Sequence, residues 1–392
     1  METIKGQARL LAGPLVGAFV GVMAWNGVVL ALCALPLFVL SWRWAPSRRW
    51  AFFTAAAYYL AAGRGLLLGA GVFFGASDAL PAWVYGAAVW IVPNILLAGV
   101  WAALWGKSHR PLRLLAILFV ISVPPIGVIG WANPVTAAGA LFPGTGWFGL
   151  VLCIATLAYL AHARCPAISL AGVALVAVLC NAVYHDRSNP QWLALETNLG
   201  ASHGSDDDYD RLHALLDMVD QSSSDHPNVK VFVLPELVGG DWSMNALWWE
   251  RTGSALRARG QTVLIGALRP LDRNSHYLNA LFSVGADGNR VFVDRVPVPY
   301  SMWKPWTSGG ADAFWLASGV HDFAGTRITT LICYEQLLVW PVLRSFLEAP
   351  KIIVGAANDW WARDTSISRI QREATKAWGR LFGVPVVWVR NE

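Results

Sequence analysis

Charge is scarce in this 392-residue chain: Asp, Glu, Lys and Arg make up 14% of it, against 55% apolar residues and 22 tryptophans. With a mean hydropathy of +0.44, so little charge excludes an ordinary soluble enzyme, and the apolar excess lies in the first 184 residues. Cysteine is thin as well. Cys33, Cys153, Cys165 and Cys180 lie in or beside apolar runs of the first 184 residues, and Cys333 stands alone in the rest. One thiol cannot make a disulfide within that second half, whatever its compartment. Also missing are a Gly-rich phosphate loop, a CxxC and an HxxxH, so spacing implies no metal and no organic cofactor. The pI near 9.0 is not a sign of nucleic acid as partner. The basic residues of the first half fall in short loops between apolar spans, which is a membrane pattern.

What is there begins with those spans. Crossing a hydrocarbon core takes about 20 mostly apolar residues. Residues 8–42 hold two shorter spans broken near Asn26-Gly27, and 51–75, 80–105, 112–131, 146–162 and 166–184 bring the expected count to about seven. No small-residue cleavage site follows the first, which argues against a removable signal. Lys5, Arg9, Arg43, Arg48, Arg49, Lys107, Arg110, Arg113 and Arg164 all fall on one side, while the loops around Asn26, 76–80 and 132–145 carry neither Lys nor Arg. The positive-inside rule then puts the N-terminus in the cytoplasm. An odd number of crossings puts residues 185–392 outside, on the periplasmic face of a bacterial inner membrane. Arg64, inside AAGRGLLLG, must find protein, water or a head group, or snorkel from a shifted helix. A transporter reading of Arg64 and Asn94 finds no internal repeat to support it.

Residues 1–184 thus read as a membrane domain, 185–191 (HDRSNPQ) as a linker, and 192–392 as a second domain. There, β-branched runs at 192–197, 230–235, 262–267, 279–284, 290–298, 326–333, 351–357 and 384–390 alternate with helical stretches at 207–220, 243–259, 336–347 and 364–382. Runs such as VFVLP and IIVGAA are apolar on both faces, as strands covered by helices on one side and a second sheet on the other would be. The fold class is a multi-span α-helical membrane domain followed by a layered α/β domain. The acidic loop 202–210 (SHGSDDDYD) reads as solvated.

Three strand ends carry reactive side chains: Glu236 after VFVLP, Arg295 and Lys304 within VDRVPVPYSMWKPW, and Cys333 in LICYEQL. A lone cysteine in an apolar strand is ordinarily core packing. With a carboxylate to take its proton and a cation to hold an oxyanion, it becomes an acyl-transfer nucleophile.

The order LPE, VPxPY, ICYE and NDWW (358–361) resembles the nitrilase superfamily, and more narrowly its apolipoprotein N-acyltransferase branch. GWANP…GTGWFGL (130–150), YLNALFSVG (277–285) and VPVVWVRN (384–391) extend the likeness over nearly the whole chain, and the length is closer to the shorter conjugal-transfer TraB-like proteins. The resemblance implies an α-β-β-α sandwich carried on a membrane helix bundle. It implies Cys333 as nucleophile and Glu236 as base, with Tyr334, Glu335, Asn358 and Trp360 around them. It also implies membrane phospholipid as acyl donor, an envelope protein or amine as acceptor, and no cofactor.

Two departures stand out. The lysine of the resemblance, five residues before Pro299, is Asp294 here, and its second glutamate is Met302. Lys304 shares a face with Met302 if the segment is extended, and Arg295 fits with a one-residue deletion, so the cation is expected at one or the other. Arginine in that role suits oxyanion binding better than proton transfer. The rival expectation is a non-catalytic envelope protein that keeps the fold as a binding surface. The resemblance continues past Asn391 with further strands, and a sheet ending there leaves an edge to cover.

Overall fold

The computed structural model describes residues 2–74, 81–201, 205–271 and 276–392, with side chains from Leu10 onward and, in the helix starting at Ser205, from Asp207. The loop 76–80, residues 202–204 of the acidic loop, and the side chains of Lys5 and Arg9 lie outside the described residues.

The chain packs as two compact units. The first comprises residues 1–186, 337–340 and 364–383 and is helical. Helix Glu2–Ala24 carries Gly13, Gly17 and Gly21 at four-residue spacing. A Cβ on Gly17 would meet the Thr54 carbonyl oxygen at 2.4 Å, and one on Gly21 that of Tyr58 at 2.3 Å. Only a small-residue stripe lets helix Arg48–Ala62 approach so closely. The chain breaks after Ala24, where Gly27 takes φ +96°, at the place the sequence suggested. Trp25 Nε1 donates to Tyr58 Oη, which donates to the Ala132 carbonyl, so these three buried polar groups satisfy one another inside an apolar unit.

Two described helices, Ala82–Ala103 and Pro166–Val183, are long and apolar enough to cross a bilayer. Counting Arg48–Ala62 with Arg64–Phe74, bent by 55°, as one span makes three. The expected span 112–131 is not one helix: Arg110–Val120 ends before Pro124 and Pro125, whose missing N–H groups cannot continue it. Arg64 sits at the 55° break, donating to the carbonyls of Ala61 and Trp25, and Asn94 bonds Trp90 and Trp131, so both polar residues are used within the unit. Helix Ile367–Phe382 also belongs here, and a Cβ on Gly139 would lie 1.8 Å from its Ala377 carbonyl.

The second unit, residues 187–336, 341–363 and 384–392, is built on two sheets. The first joins β1 (Trp192–Ala194), β2 (Val231–Val233), β3 (Thr262–Pro270), β4 (His276–Gly285) and β5 (Val291–Val293) in that order, with β6 (Gly310–Ala311) also on β4. The second runs β10 (Val386–Asn391), β9 (Ile352–Asn358), β8 (Thr326–Ile332) and β7 (Val320–Phe323). Strands β1 to β3 are parallel, as are β10 to β8, while β4, β5 and β7 pair antiparallel. The alternation along VFVL explains the layering. Val231 and Val233 enter the core between the sheets, and Phe232 and Leu234 pack outward under Leu215, Val219, Trp249 and Leu256 of two helices. On the outer side of the second sheet, Ser345 of helix Val339–Phe346 accepts a bond from Thr329 of β8. The expected strand 290–298 shrinks to β5. β6 and β7, two and four residues long, are too short to show a period.

Candidate active site

Cys333 begins the turn after β8 with φ +45°, a left-handed conformation that a non-glycine residue adopts at a cost of about 1–2 kcal/mol. That turn takes the thiol off the strand axis. Glu236 follows β2 through Leu234-Pro235, and Leu237 beside it is also left-handed, at φ +58°. A Cβ on Gly266 would stand 2.1 Å from the Pro235 carbonyl oxygen and 2.5 Å from Glu236 Cα. Glycine in β3 is therefore what lets the acid's backbone lie so close. The two strand ends converge, and the Cys333 thiol donates to the Glu236 carboxylate.

Asn279 in β4 shares the inner face with Leu281. Its Nδ2 donates to Glu236 Oε1 at 2.7 Å and to Asp294 Oδ2 at 3.0 Å, joining the two carboxyls through one amide. Asp294, directly after β5, is held by its own N–H on the Asn279 carbonyl (2.8 Å) and by the Val296 N–H on Oδ1 (3.1 Å). All four side chains are buried.

Burial pushes the Glu236 carboxyl up to about 7, helped by the charge of Asp359 and opposed by hydrogen bonds from Asn279, Cys333 and the Asn358 backbone. Burial raises Asp294 well above the carboxylate range, with the charges of Glu335 and Glu236 adding to it. The thiol is pushed well up by burial and then by Glu236, Asp359 and Asp294, all of them negative. Tyr277 rises to about 12, from burial and then from the charges of Glu236 and Asp294. The site is thus a thiol among acids.

Among the described residues neither expected cation is bonded to this cluster. Arg295 turns away from Asp294: its Nε pairs with Glu335 Oε1 at 2.7 Å, Nη1 donates to the Ser318 carbonyl (2.6 Å) and Ser345 Oγ (3.0 Å), and Nη2 to the Thr330 carbonyl (3.1 Å). Glu335 in turn accepts the Ile332 N–H at 2.9 Å. This buried pair fixes the loop after β5 to the turn bearing Cys333. Lys304 is half-buried in the segment before β6, and among the described residues no hydrogen bond or ion pair ties it to Glu236, Asp294 or Cys333.

Of the flanking residues, Tyr334 is half-buried. Asn358 ends β9, where Asn391 Nδ2 donates to its Oδ1 at 2.9 Å while Asn391 Oδ1 accepts from Thr197 and Leu199. Trp360 stands in the short turn Trp360–Ala362. Sequence reasoning named neither Asn279 nor Asp294 as a site residue. The signal for Asp294 was present: an acid directly after the β-branched run VFV, the same pattern that marked Glu236.

Residues 273–380 match the carbon-nitrogen hydrolase family. The chain is 36% identical over 405 residues to the conjugal transfer protein TraB of Agrobacterium fabrum, covering 95% of this chain and 90% of that one. It is 37% identical over 391 residues to a probable conjugal transfer protein TraB of Sinorhizobium fredii, covering 97% of each. Among solved structures, a carbon-nitrogen hydrolase from Helicobacter pylori G27 aligns with TM-score 0.38 and 13% identity over 50% of this chain and 72% of its own. An amidase from Nesterenkonia sp. gives TM-score 0.38 and 13% identity over 51% and 74%.

Proposed function

From the premise that this chain belongs to the TraB conjugal-transfer family and carries a nitrilase-like carbon-nitrogen hydrolase domain, we propose that it is a membrane-embedded acyltransferase or amidase of the bacterial envelope that serves conjugal transfer. The observation that carries the chemistry is the hydrogen bond from the Cys333 thiol to Glu236 at two converging strand ends, with Cys333 strained into a left-handed turn. Glu236 takes the thiol proton and sulfur attacks the carbonyl carbon of an ester or amide. The bond to the leaving group breaks, and that group departs with the proton from Glu236. The resulting thioester is resolved by an amine or water, whose proton passes through Glu236 back to the thiolate.

The apolar helices of the first unit support phospholipid as acyl donor, and the charge asymmetry of the loops supports a cytoplasmic N-terminus with the hydrolase-like unit in the periplasm. Full-length protein reconstituted with an alkyne-tagged phospholipid is expected to acquire a hydroxylamine-labile tag at Cys333 that Cys333→Ala lacks. Equal labelling of the two folded proteins would remove the acyl-enzyme. The rival reading, a binding surface without chemistry, draws on one observation: the charges of Glu236, Asp359 and Asp294, which act on the thiol, are all negative. It expects no tag on either protein, wild type or Cys333→Ala.

A further inference from the structure

Helix Ile367–Phe382 belongs to the helical unit, and every position it leaves exposed is basic: Arg369, Arg372 and Lys376, three and four residues apart along one line. Its opposite face is apolar and buried, through Ile370, Ala374, Ala377, Trp378 and Leu381. The helix lies across one end of that unit. The Gly27 N–H, just past helix Glu2–Ala24, donates to Glu373 Oε2 at 2.7 Å. The Gly144 N–H, just before helix Gly146–Leu160, donates to the Arg380 carbonyl at 2.7 Å, and Arg380 Nη2 donates at 2.6 Å to Asn181, in the last turn of Pro166–Val183. The loops at this end, around Asn26 and 132–145, have no Lys or Arg of their own. Trp147 and Phe148 are exposed here, and the Trp147 ring meets that of Phe382 edge to face, with centroids 5.4 Å apart. An exposed tryptophan beside apolar spans marks the level where hydrocarbon gives way to head groups.

We propose that this helix lies in the membrane interface and that its line of Arg369, Arg372 and Lys376 binds the phosphates of anionic phospholipid head groups. An interfacial helix divides its surface in this way, one face apolar and the other rich in Lys and Arg. Residues four apart on a helix stand about 5–6 Å apart at Cβ, so Arg372 and Lys376 can hold one phosphate between them. Burial and then the like charge of Arg372 lower the Lys376 ammonium, and an anion set between the two relieves that repulsion. The acids beside the line serve other groups: Asp186 pairs with Arg380 at 2.7 Å, and Glu373 holds the Gly27 N–H. A zwitterionic head group carries its own cation next to the phosphate and gains less from the same surface. This inference rests on the reading of the chain as membrane-embedded and adds the charge of the head groups around it. No bond of the lipid is made or broken at this surface.

The test is native mass spectrometry of the full-length protein in neutral detergent, titrated with phosphatidylglycerol or with phosphatidylcholine of the same acyl chains. The wild type is expected to bind phosphatidylglycerol about 25-fold more tightly, about fivefold (about 1 kcal/mol) for each of two basic residues meeting one phosphate. That preference should weaken as salt is raised. It should shrink to about twofold or less in Arg369→Gln/Arg372→Gln/Lys376→Gln, and persist in Arg369→Lys/Arg372→Lys, which keeps the charge. Equal binding of the two lipids by the wild type overturns the proposal, as does an unaltered preference in the glutamine variant or its loss in the lysine variant. If the glutamine variant instead changes the number of chains in the assembly, a second copy of the chain occupies the line, and the proposal falls. Cys333→Ala should keep the full preference; its loss there would put the bound lipid at the thiol rather than on the helix. If alkaline carbonate releases the full-length protein from membranes, the membrane-embedded reading fails first, and separately.

Discussion

Replacing Arg295 by methionine separates a structural cation from a catalytic one. Arg295 and Glu335 are 1% and 0% exposed, and the guanidinium serves the Glu335 carboxylate, three backbone carbonyls and Ser345. Methionine fills much of the volume but leaves Glu335 charged and alone, where burial already pushes its carboxyl up and Arg295 is the main counterweight. Breaking a buried pair by removing one partner costs about 3–5 kcal/mol. At about 2–4 °C per kcal/mol for a domain of this size, the melting temperature of the hydrolase-like unit should fall by about 6–20 °C. Because most of that penalty is the stranded carboxylate, the double variant Arg295→Met/Glu335→Gln should recover at least about half of it. The assay is thermal unfolding of full-length protein in detergent, followed by near-UV circular dichroism, together with Cys333 alkylation below the melt. If Arg295→Met melts like the wild type yet loses acyl-enzyme formation, the guanidinium acts on the reacting carbonyl and the structural assignment is wrong.

Three further outcomes follow from the same site. Glu236→Gln should abolish the rise in acyl-enzyme formation through pH about 7 that an ionising base produces, lowering the rate above that pH by about 10²–10⁴-fold. It should also change stability with a definite sign. Glu236 is raised from 4.5 to about 7 on folding, so its contribution is full below 4.5 and is lost as pH climbs through about 7. The neutral variant therefore gains about 3 kcal/mol on the wild type between pH 4 and pH 9, read from paired melts; parallel pH slopes would contradict the buried-acid account. Finally, Cys333→Gly should be more stable than Cys333→Ala by about 1 kcal/mol, because only glycine takes φ +45° without strain. An alanine variant equal or superior in denaturant would show that the turn stores none.

Much of this was legible in the residues. VFVLPE and LICYE place two reactive groups directly after apolar β-branched runs, and a strand's end is a place where a side chain can leave the sheet without disturbing its pairing. The hydrogen bond from thiol to Glu236 is what that pattern foresaw. The cation was not legible. Lys304 shares a face with Met302 only in an extended chain, but residues 298–303 fold into a tight turn, with the N–H groups of both Met302 and Trp303 on the Val298 carbonyl and Tyr300 left-handed at φ +72°. The alternation that the argument needed does not exist there. Arg295, the alternative that needs a one-residue deletion, is the immediate neighbour of Asp294 and points the opposite way, as adjacent residues near a strand end do.

By itself, then, the sequence determined the two-part character of the chain, the alternating β and α elements of its second half, and the strand-end placement of Cys333 and Glu236, because each is written in a local period or a strand-end position. Only the tertiary structure decided that Asn279 ties Glu236 to Asp294, that Arg295 belongs to Glu335, and that helix Ile367–Phe382 packs with the N-terminal helices. These are contacts between segments tens to hundreds of residues apart. Which charges meet across such distances depends on sheet register and burial, and no local pattern encodes either.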